Sequence, residues 1–199
     1  MFTIKRHSKN NTFLWDSFVK NANNGTLFHL RKFLSYHPKG RFVDHSIEFY
    51  KKNTLYSVFP AAELNINGKN LLVSHPGLTV GSFVVPESIS ISDSLELTRV
   101  LIDYAKKNKF DGARLTIPPV FYQNRVSNYI DYALLRSGFK YLKRELTSTL
   151  FIENDVKENL SKFKPSHARA VRKAKETGVD IKISQDVESF YAILKENLK

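Results

Sequence analysis

The chain has 199 residues, 42% of them hydrophobic and 13% aromatic, which suits one folded domain with a core and the beginning of another. It has no cysteine, which excludes disulfides, thiolate metal sites and a thiol nucleophile, and it has no apolar run long enough for a transmembrane helix. A net charge of +12 attracts phosphate-bearing partners such as nucleic acid, nucleotide-activated substrates, coenzyme A or an anionic membrane surface, and it suits a merely solubilising surface equally well.

The N-terminal stretch MFTIKRHSKNNTF lacks the apolar region of a signal peptide, so a soluble, unprocessed, cytoplasmic protein is expected. Phe2 and Ile4 alternate with Thr3 and Lys5 as a short strand. Trp15, Phe18, Val19 and Ala22 recur at helical spacing, and Asn23, Asn24 and Gly25 supply the stop. The segment TLFHLRKFLSYHPKGRF reads part strand and part helix, closing at Pro38 and Gly40. Three strands follow as an antiparallel meander: SIEFYKK, then TLYSVFPAAELNI, then LLVSHPGLTVGSFVV from Leu71 to Val85. Lys52 and Asn53 mark the first turn, and Asn67 and Gly68 mark the second with a strong hairpin signal. Pro76 and Gly77 interrupt the last strand beside His75, as a bulge or as the floor of a site.

Beyond the meander, Asp93 with Glu96 resembles a helix start, and Leu97, Val100, Leu101, Tyr104 and Ala105 make a buried stripe. Ala113, Leu115 and Ile117 form one face of a strand, with Arg114 and Thr116 on the other, ended by Pro118 and Pro119. Val126, Ile130, Ala133 and Leu134 make another helical face, stopped at Gly138, and a strand from Lys140 to about Ile152 is expected. Further on, SHARAVRKAKETG reads as a helix with Ser166 as N-cap, Val179, Ile181 and Ile183 as a strand, and Val187, Phe190, Tyr191, Leu194 and Leu198 as a helical stripe. That helix–strand–helix unit leaves an apolar face in need of a partner, so packing on the first domain, on a second copy of the chain, or within a longer protein is expected.

This order of elements resembles a GNAT acyltransferase domain. The phrases WDSFVKNANNGTLFHLRKFLSYHPKGRFVDHSIEF, SHPGLTVGSF and SHARAVRKAKETGVDIKIS resemble the FemAB-like branch of that superfamily, in which two GNAT-like domains occur in tandem. The resemblance implies an α/β (α+β) fold with a mixed, mainly antiparallel sheet flanked by helices over residues 1–152, and the start of a second such unit over residues 153–199. It makes Leu71 to Val85 the strand that these enzymes splay beside the acyl donor. Family members then present a Q/R-x-x-G-x-G/A loop whose amides hold the coenzyme A pyrophosphate at a helix N-terminus. Here PESISISDSLE follows, with no glycine between Gly81 and Gly112. No cofactor is therefore expected on the first domain, and SHPGLTVG is expected to line an acceptor cleft.

Candidate ligand residues follow from charge and position. His75 suits a hydrogen bond or proton shuttle to an acceptor group, or a structural role at a bulge. Arg31, Lys39 and Arg41 flank the Tyr36–His37–Pro38 turn, where cations grip a diphosphate or carboxylate, or are simply solvated. Arg114, opposite Leu115 and Ile117, faces a cleft or pairs with a carboxylate. Between Lys157 and Lys182 eight Lys or Arg stand against three Asp or Glu, and Arg169, Arg172, Lys173 and Glu176 share one helical face, opposite Val171 and Ala174, that suits RNA phosphate or is simply a solvated basic face. That face has no interleaved aromatics for base reading. The six histidines lack metal-ligand spacing, so no metal is expected.

The expectation is acyl or aminoacyl transfer to an amine or hydroxyl of an envelope-related or nucleotide-linked acceptor. The donor is open between aminoacyl-tRNA and acyl-coenzyme A. In such folds the chemistry rests on positioning and on carbonyl polarisation by a strand amide, so no catalytic residue is named. Two alternatives stand beside it: a non-catalytic acceptor-binding domain with a degenerate donor site, and a basic RNA- or phosphate-binding module.

Overall fold

Period-two alternation of apolar residues builds the sheet that organises the first half of the molecule. The structure, a computed structural model, describes residues 1–198 and divides into two compact units, Met1–Leu142 and Lys143–Lys199. The expected boundary at Ile152 thus lies inside the second unit. In the first unit the order is β1 (Phe2–Arg6), α1 (Thr12–Lys20), α2 (Arg31–Leu34), β2 (Val43–Asp44), β3 (Ile47–Lys51), β4 (Thr54–Phe59), β5 (Ala61–Ile66), β6 (Lys69–Ser74), α3 (Ile91–Lys107), β7 (Gly112–Arg114) and α4 (Tyr129–Arg136). The meander is antiparallel, as expected, with β1, β3 and β4 in one sheet and β2, β5, β6 and β7 in the other. Pro60 breaks one long strand into β4 and β5, which hands the chain from the first sheet to the second. Among the described residues only β6 and β7 run parallel, from Leu71 opposite Gly112 to Val73 opposite Arg114.

The β1–β3–β4 sheet has a core on each face. Ile47, Phe49, Phe59 and Leu72 pack with Leu97 and Leu101 of α3 and Leu134 of α4, while Leu115 and Ile130 are half-buried against them. On the opposite face Trp15 and Val19 of α1 pack with Tyr50, Leu55, Val58 and Val84. Trp15 is fully buried and its indole N–H donates to the His29 carbonyl at 2.8 Å, so truncating it would cost about 3–5 kcal/mol. Glu48 faces the same side and is also fully buried. It accepts from Asn11 Nδ2 at 2.9 Å and Tyr50 OH at 2.7 Å, and its Oε1 lies 2.7 Å from His7 Nδ1, which satisfies the charge. Helix α3 starts one turn earlier than Asp93: Ser90 is the cap, its hydroxyl accepting the Asp93 amide at 3.1 Å.

Two expected strands are corrected. Residues 139–152 and 179–183 form no strand. A strand needs an edge to pair with, and β7 offers only Gly112–Arg114 before Pro118 and Pro119, which have no amides to donate. The second unit consists of α5 (Val156–Ser161), α6 (Pro165–Glu176) and α7 (Val187–Asn197), and none of its described residues is buried. Helix α6 begins at Pro165 with Lys164 in the cap position in place of the expected Ser166, because proline suits the first helical residue. Among the described residues no helix is long and apolar enough to cross a membrane.

Candidate functional site

The interruption in LLVSHPGLTVGSFVV resolves into a strand that ends at Ser74, an excursion, and a single bridge at Val84, so the expected continuous strand to Val85 is corrected. β6 pairs with β5 as far as Ser74 opposite Ala61. The chain then leaves the sheet, and it returns where Val84 exchanges both backbone bonds with Val58 of β4, at 2.8 and 3.2 Å. The excursion is tied down at its base. Ser74 Oγ accepts the amides of Thr116 at 2.9 Å and Ser82 at 3.2 Å, and the Gly81 amide donates to the Thr116 carbonyl at 2.8 Å. Beyond Arg114, then, the continuation of β7 meets the returning segment and not the continuation of β6.

The excursion packs against the chain leading into β2. His37, Phe42 and His75 form a triangle of rings, with centroids 4.9 Å apart for His37–Phe42, 5.3 Å for Phe42–His75 and 6.1 Å for His37–His75. Both ring nitrogens of His37 are buried without a hydrogen-bond partner among the described residues. His75 is buried, with Nδ1 2.9 Å from the Pro76 carbonyl, and burial moves its pKa down, so it is a neutral imidazole at neutral pH. Next to it, Arg31 from α2 donates to Asp44 Oδ2 and, at 2.8 Å, to Ser46 Oγ, while its guanidinium lies 5.3 Å from the centre of the Trp15 ring. Burial pushes the Asp44 carboxyl up, but the Arg31 cation and the Ser46 bonds outweigh it and hold the pKa below its usual value. Asp44 in turn accepts the Ser46 amide at 2.9 Å and its hydroxyl at 2.6 Å.

Of the residues singled out from sequence, Arg31 and His75 are brought into one corner, where Arg31 pairs with Asp44 and the Asp44 charge acts on His75. Lys39 and Arg41 stand exposed on the adjoining turn, with the Arg41 guanidinium 5.2 Å from the Phe42 ring centre. Arg114 is exposed on β7, paired by register with Val73, and is not part of the corner. Arg169, Arg172 and Lys173 lie exposed on α6 of the second unit. Asp44, Ser46 and His37 were not anticipated. The motif SYHPKG carried His37 in plain view, but a histidine between a tyrosine and a proline has no local signature of a ring stack.

No protein-family model matches the chain, and no curated protein does. Its fold is similar to the crystal structure of a ribosomal-protein-alanine N-acetyltransferase from Brucella melitensis, at 10% identity over 75% of this chain and 100% of that one, with a TM-score of 0.50. A GNAT family acetyltransferase from Staphylococcus aureus aligns at 10% identity over 75% of this chain and 98% of its own, with a TM-score of 0.46. An aminoglycoside 6'-N-acetyltransferase from Acinetobacter haemolyticus aligns at 17% identity over 76% and 99%, with a TM-score of 0.42. At such identities the likeness is one of fold: a mixed α/β GNAT-like architecture with antiparallel sheets flanked by helices. None of these proteins bears on the FemAB-like branch, which rests on the phrases of the sequence alone.

The group this fold implies is a coenzyme A thioester, and the residues present do not fit it. Where a pyrophosphate would meet a helix N-terminus, α3 carries its own Ser90 cap and Asp93 in its first turn. The Asp93 carboxylate already accepts from Lys51 at 2.6 Å and Tyr56 at 2.7 Å, and it would repel a second anion.

Proposed function

We infer that the chain acts in acyl or aminoacyl transfer to an amine or hydroxyl, as a FemAB-like protein of GNAT fold whose first unit holds an anionic, envelope-related or nucleotide-linked acceptor. The observation that carries this reading is the corner at the start of β2, where Arg31 and His75 meet around Asp44 beside the exposed Lys39 and Arg41. Arg31 is fixed by Asp44, Ser46 and the Trp15 ring, so it is an oriented cation; Lys39 and Arg41 are free-ended cations on a turn. An amine attacking an ester carbonyl needs orientation more than an acid–base dyad, and an oriented acceptor supplies it. The basic face of α6 suits a charged transfer RNA as donor.

Calorimetric titration of the full chain with a uridine-diphosphate amino sugar tests the acceptor reading. Saturable binding is expected, weakened about tenfold or more in Lys39→Ala/Arg41→Ala. Absence of binding, or a folded double variant with unchanged affinity, would sink it. A transfer assay with aminoacyl-tRNA then separates the two readings: binding without turnover points to the non-catalytic acceptor-binding domain.

A further inference from the structure

The returning segment 83–85 meets β4 in a single bridge, Val84 with Val58, so that one edge is taken by β4 and the other is turned away from it. Val84 directs its amide and carbonyl to Val58, so Phe83 and Val85 direct theirs to the opposite side. A bare edge of this kind is a template for any extended ligand that carries amides. Here it is not bare. The Asn24 carboxamide spans it, Nδ2 donating to the Phe83 carbonyl at 2.8 Å and Oδ1 accepting the Val85 amide at 2.9 Å, while the Asn23 amide donates to the Val85 carbonyl at 2.8 Å. Asn23 does the same in the other direction. Its Oδ1 accepts the Arg125 amide at 2.7 Å, its Nδ2 donates to the Arg125 carbonyl at 3.0 Å, and its carbonyl accepts the Asn124 amide at 2.9 Å.

Both asparagines are buried, with 2% and 5% exposure, although neither belongs to a helix or strand. They lie between the 83–85 edge and the 123–125 segment and satisfy backbone groups on both. A helix stop needs none of these bonds. Gly25 beyond them sits so close to the end of α1 that a Cβ would stand 1.9 Å from the Val19 carbonyl oxygen, which pins the pair in place.

We propose that Asn23 and Asn24 are a built-in substitute for the amides of an extended donor, closing the 83–85 edge so that the first unit binds no coenzyme A thioester there. Any donor used by the protein is then held by other residues. The closure does not depend on the identity of the acceptor, and failure of acceptor binding would leave it untouched.

Hydrogen exchange resolved by residue, with calorimetry on the full chain, tests this. In the wild-type protein without ligand, the amides of Val85 and Arg125 are expected to be protected, and acetyl-coenzyme A and pantetheine to give no saturable heat up to millimolar concentration. Asn24→Ala should speed exchange at Val85 by about 10- to 100-fold more than at Val84, which keeps its bond to Val58. Should Asn24→Ala not fold, Asn24→Asp retains the acceptor for Val85 and removes only the donor to Phe83, so Val85 should stay protected in a destabilised protein. Micromolar, stoichiometric binding of acetyl-coenzyme A to the wild type would overturn the proposal, as would a Val85 amide that exchanges freely in it.

Discussion

His37 lies over Gly77 so closely that a Cβ on residue 77 would stand 2.2 Å from its Nε2 and 2.5 Å from its Cε1. Gly77 also takes a φ of +86°, in the region that side chains disfavour. The two effects join the excursion after β6 to the turn before β2. Gly77→Ala is therefore expected to cost about 2–4 kcal/mol, measured by urea unfolding. In a His37→Ala background the steric part disappears and only the backbone part, about 1 kcal/mol, should remain. Equal costs in both backgrounds would show that the ring does not rest there.

His29 predicts how stability depends on pH. It is fully buried, and burial lowers its pKa to about 4, against the weaker opposing effect of its bonds to Gly81 and Thr26. The Thr26 amide donates to its Nδ1 at 3.0 Å, so that nitrogen must be unprotonated in the folded state. An unfolded chain takes up this proton near 6.5 and the folded one only near 4. Between those values the unfolded state binds more protons, so the contribution is complete above pH 6.5 and is lost progressively as pH falls towards 4. The total is about 3 kcal/mol. Glu48 adds a later loss. Burial would raise its pKa, but the hydrogen bonds from His7, Tyr50 and Asn11 outweigh it, so its contribution falls away only below its ordinary value of 4.5. Unfolding free energies at steps between pH 7.5 and 4 should show the His29 loss, and a folded His29→Gln should flatten it. A flat wild-type profile above pH 5 would contradict a neutral buried imidazole.

Ser82 combines two unfavourable features. Its φ is +74°, and its hydroxyl is buried without a partner among the described residues. Glycine would keep the amide that Ser74 accepts while relieving the backbone and removing the orphaned hydroxyl. After the extra unfolded-state entropy of glycine is subtracted, Ser82→Gly should stabilise the protein by about 1 kcal/mol. A lower thermal midpoint would mean that the hydroxyl is engaged in solution.

The parts of this fold that were readable from sequence are those fixed by near neighbours. The α3 stripe of Leu97, Leu101 and Ala105, the turns at Lys52–Asn53 and Asn67–Gly68, and the core position of Trp15 each follow from periodicity or turn chemistry within a few residues. The split at Ser74 was only half legible. Pro76 and Gly77 announced a break, but the return at Val84 depends on Val58, and the anchoring of the base depends on Thr116. Asn23 and Asn24 show the limit most clearly. The stop was read too late, since α1 ends at Lys20 with Asn21 as its cap and Ala22 lies beyond it; the Asn23 and Asn24 carboxamides bond instead to Arg125 and Phe83, distant in sequence, and no local pattern encodes that. The strand expected over 140–152 fails for a related reason: an edge to pair with is a property of the rest of the fold and not of the stretch itself.

The second unit supplies the prediction on which the donor half of the functional reading depends. Arg169, Arg172 and Lys173 recur at helical spacing on α6, a helix of 12 residues from Pro165 to Glu176, and all three are exposed. If they grip phosphates, the affinity of the full chain for transfer RNA should fall linearly with salt on logarithmic axes, because binding releases counterions. Replacing all three by alanine should weaken binding and reduce that slope by about 2–3, since each phosphate no longer neutralised lowers it by about 0.7–0.9. Alanine is the strongest helix former, so the variant should keep α6, and circular dichroism checks that it does. A folded triple variant with unchanged affinity and slope would make this face merely solvated. If the slope does fall but aminoacylated and uncharged transfer RNA bind equally, the interaction is electrostatic only, and the aminoacyl donor must be abandoned in favour of the non-catalytic reading.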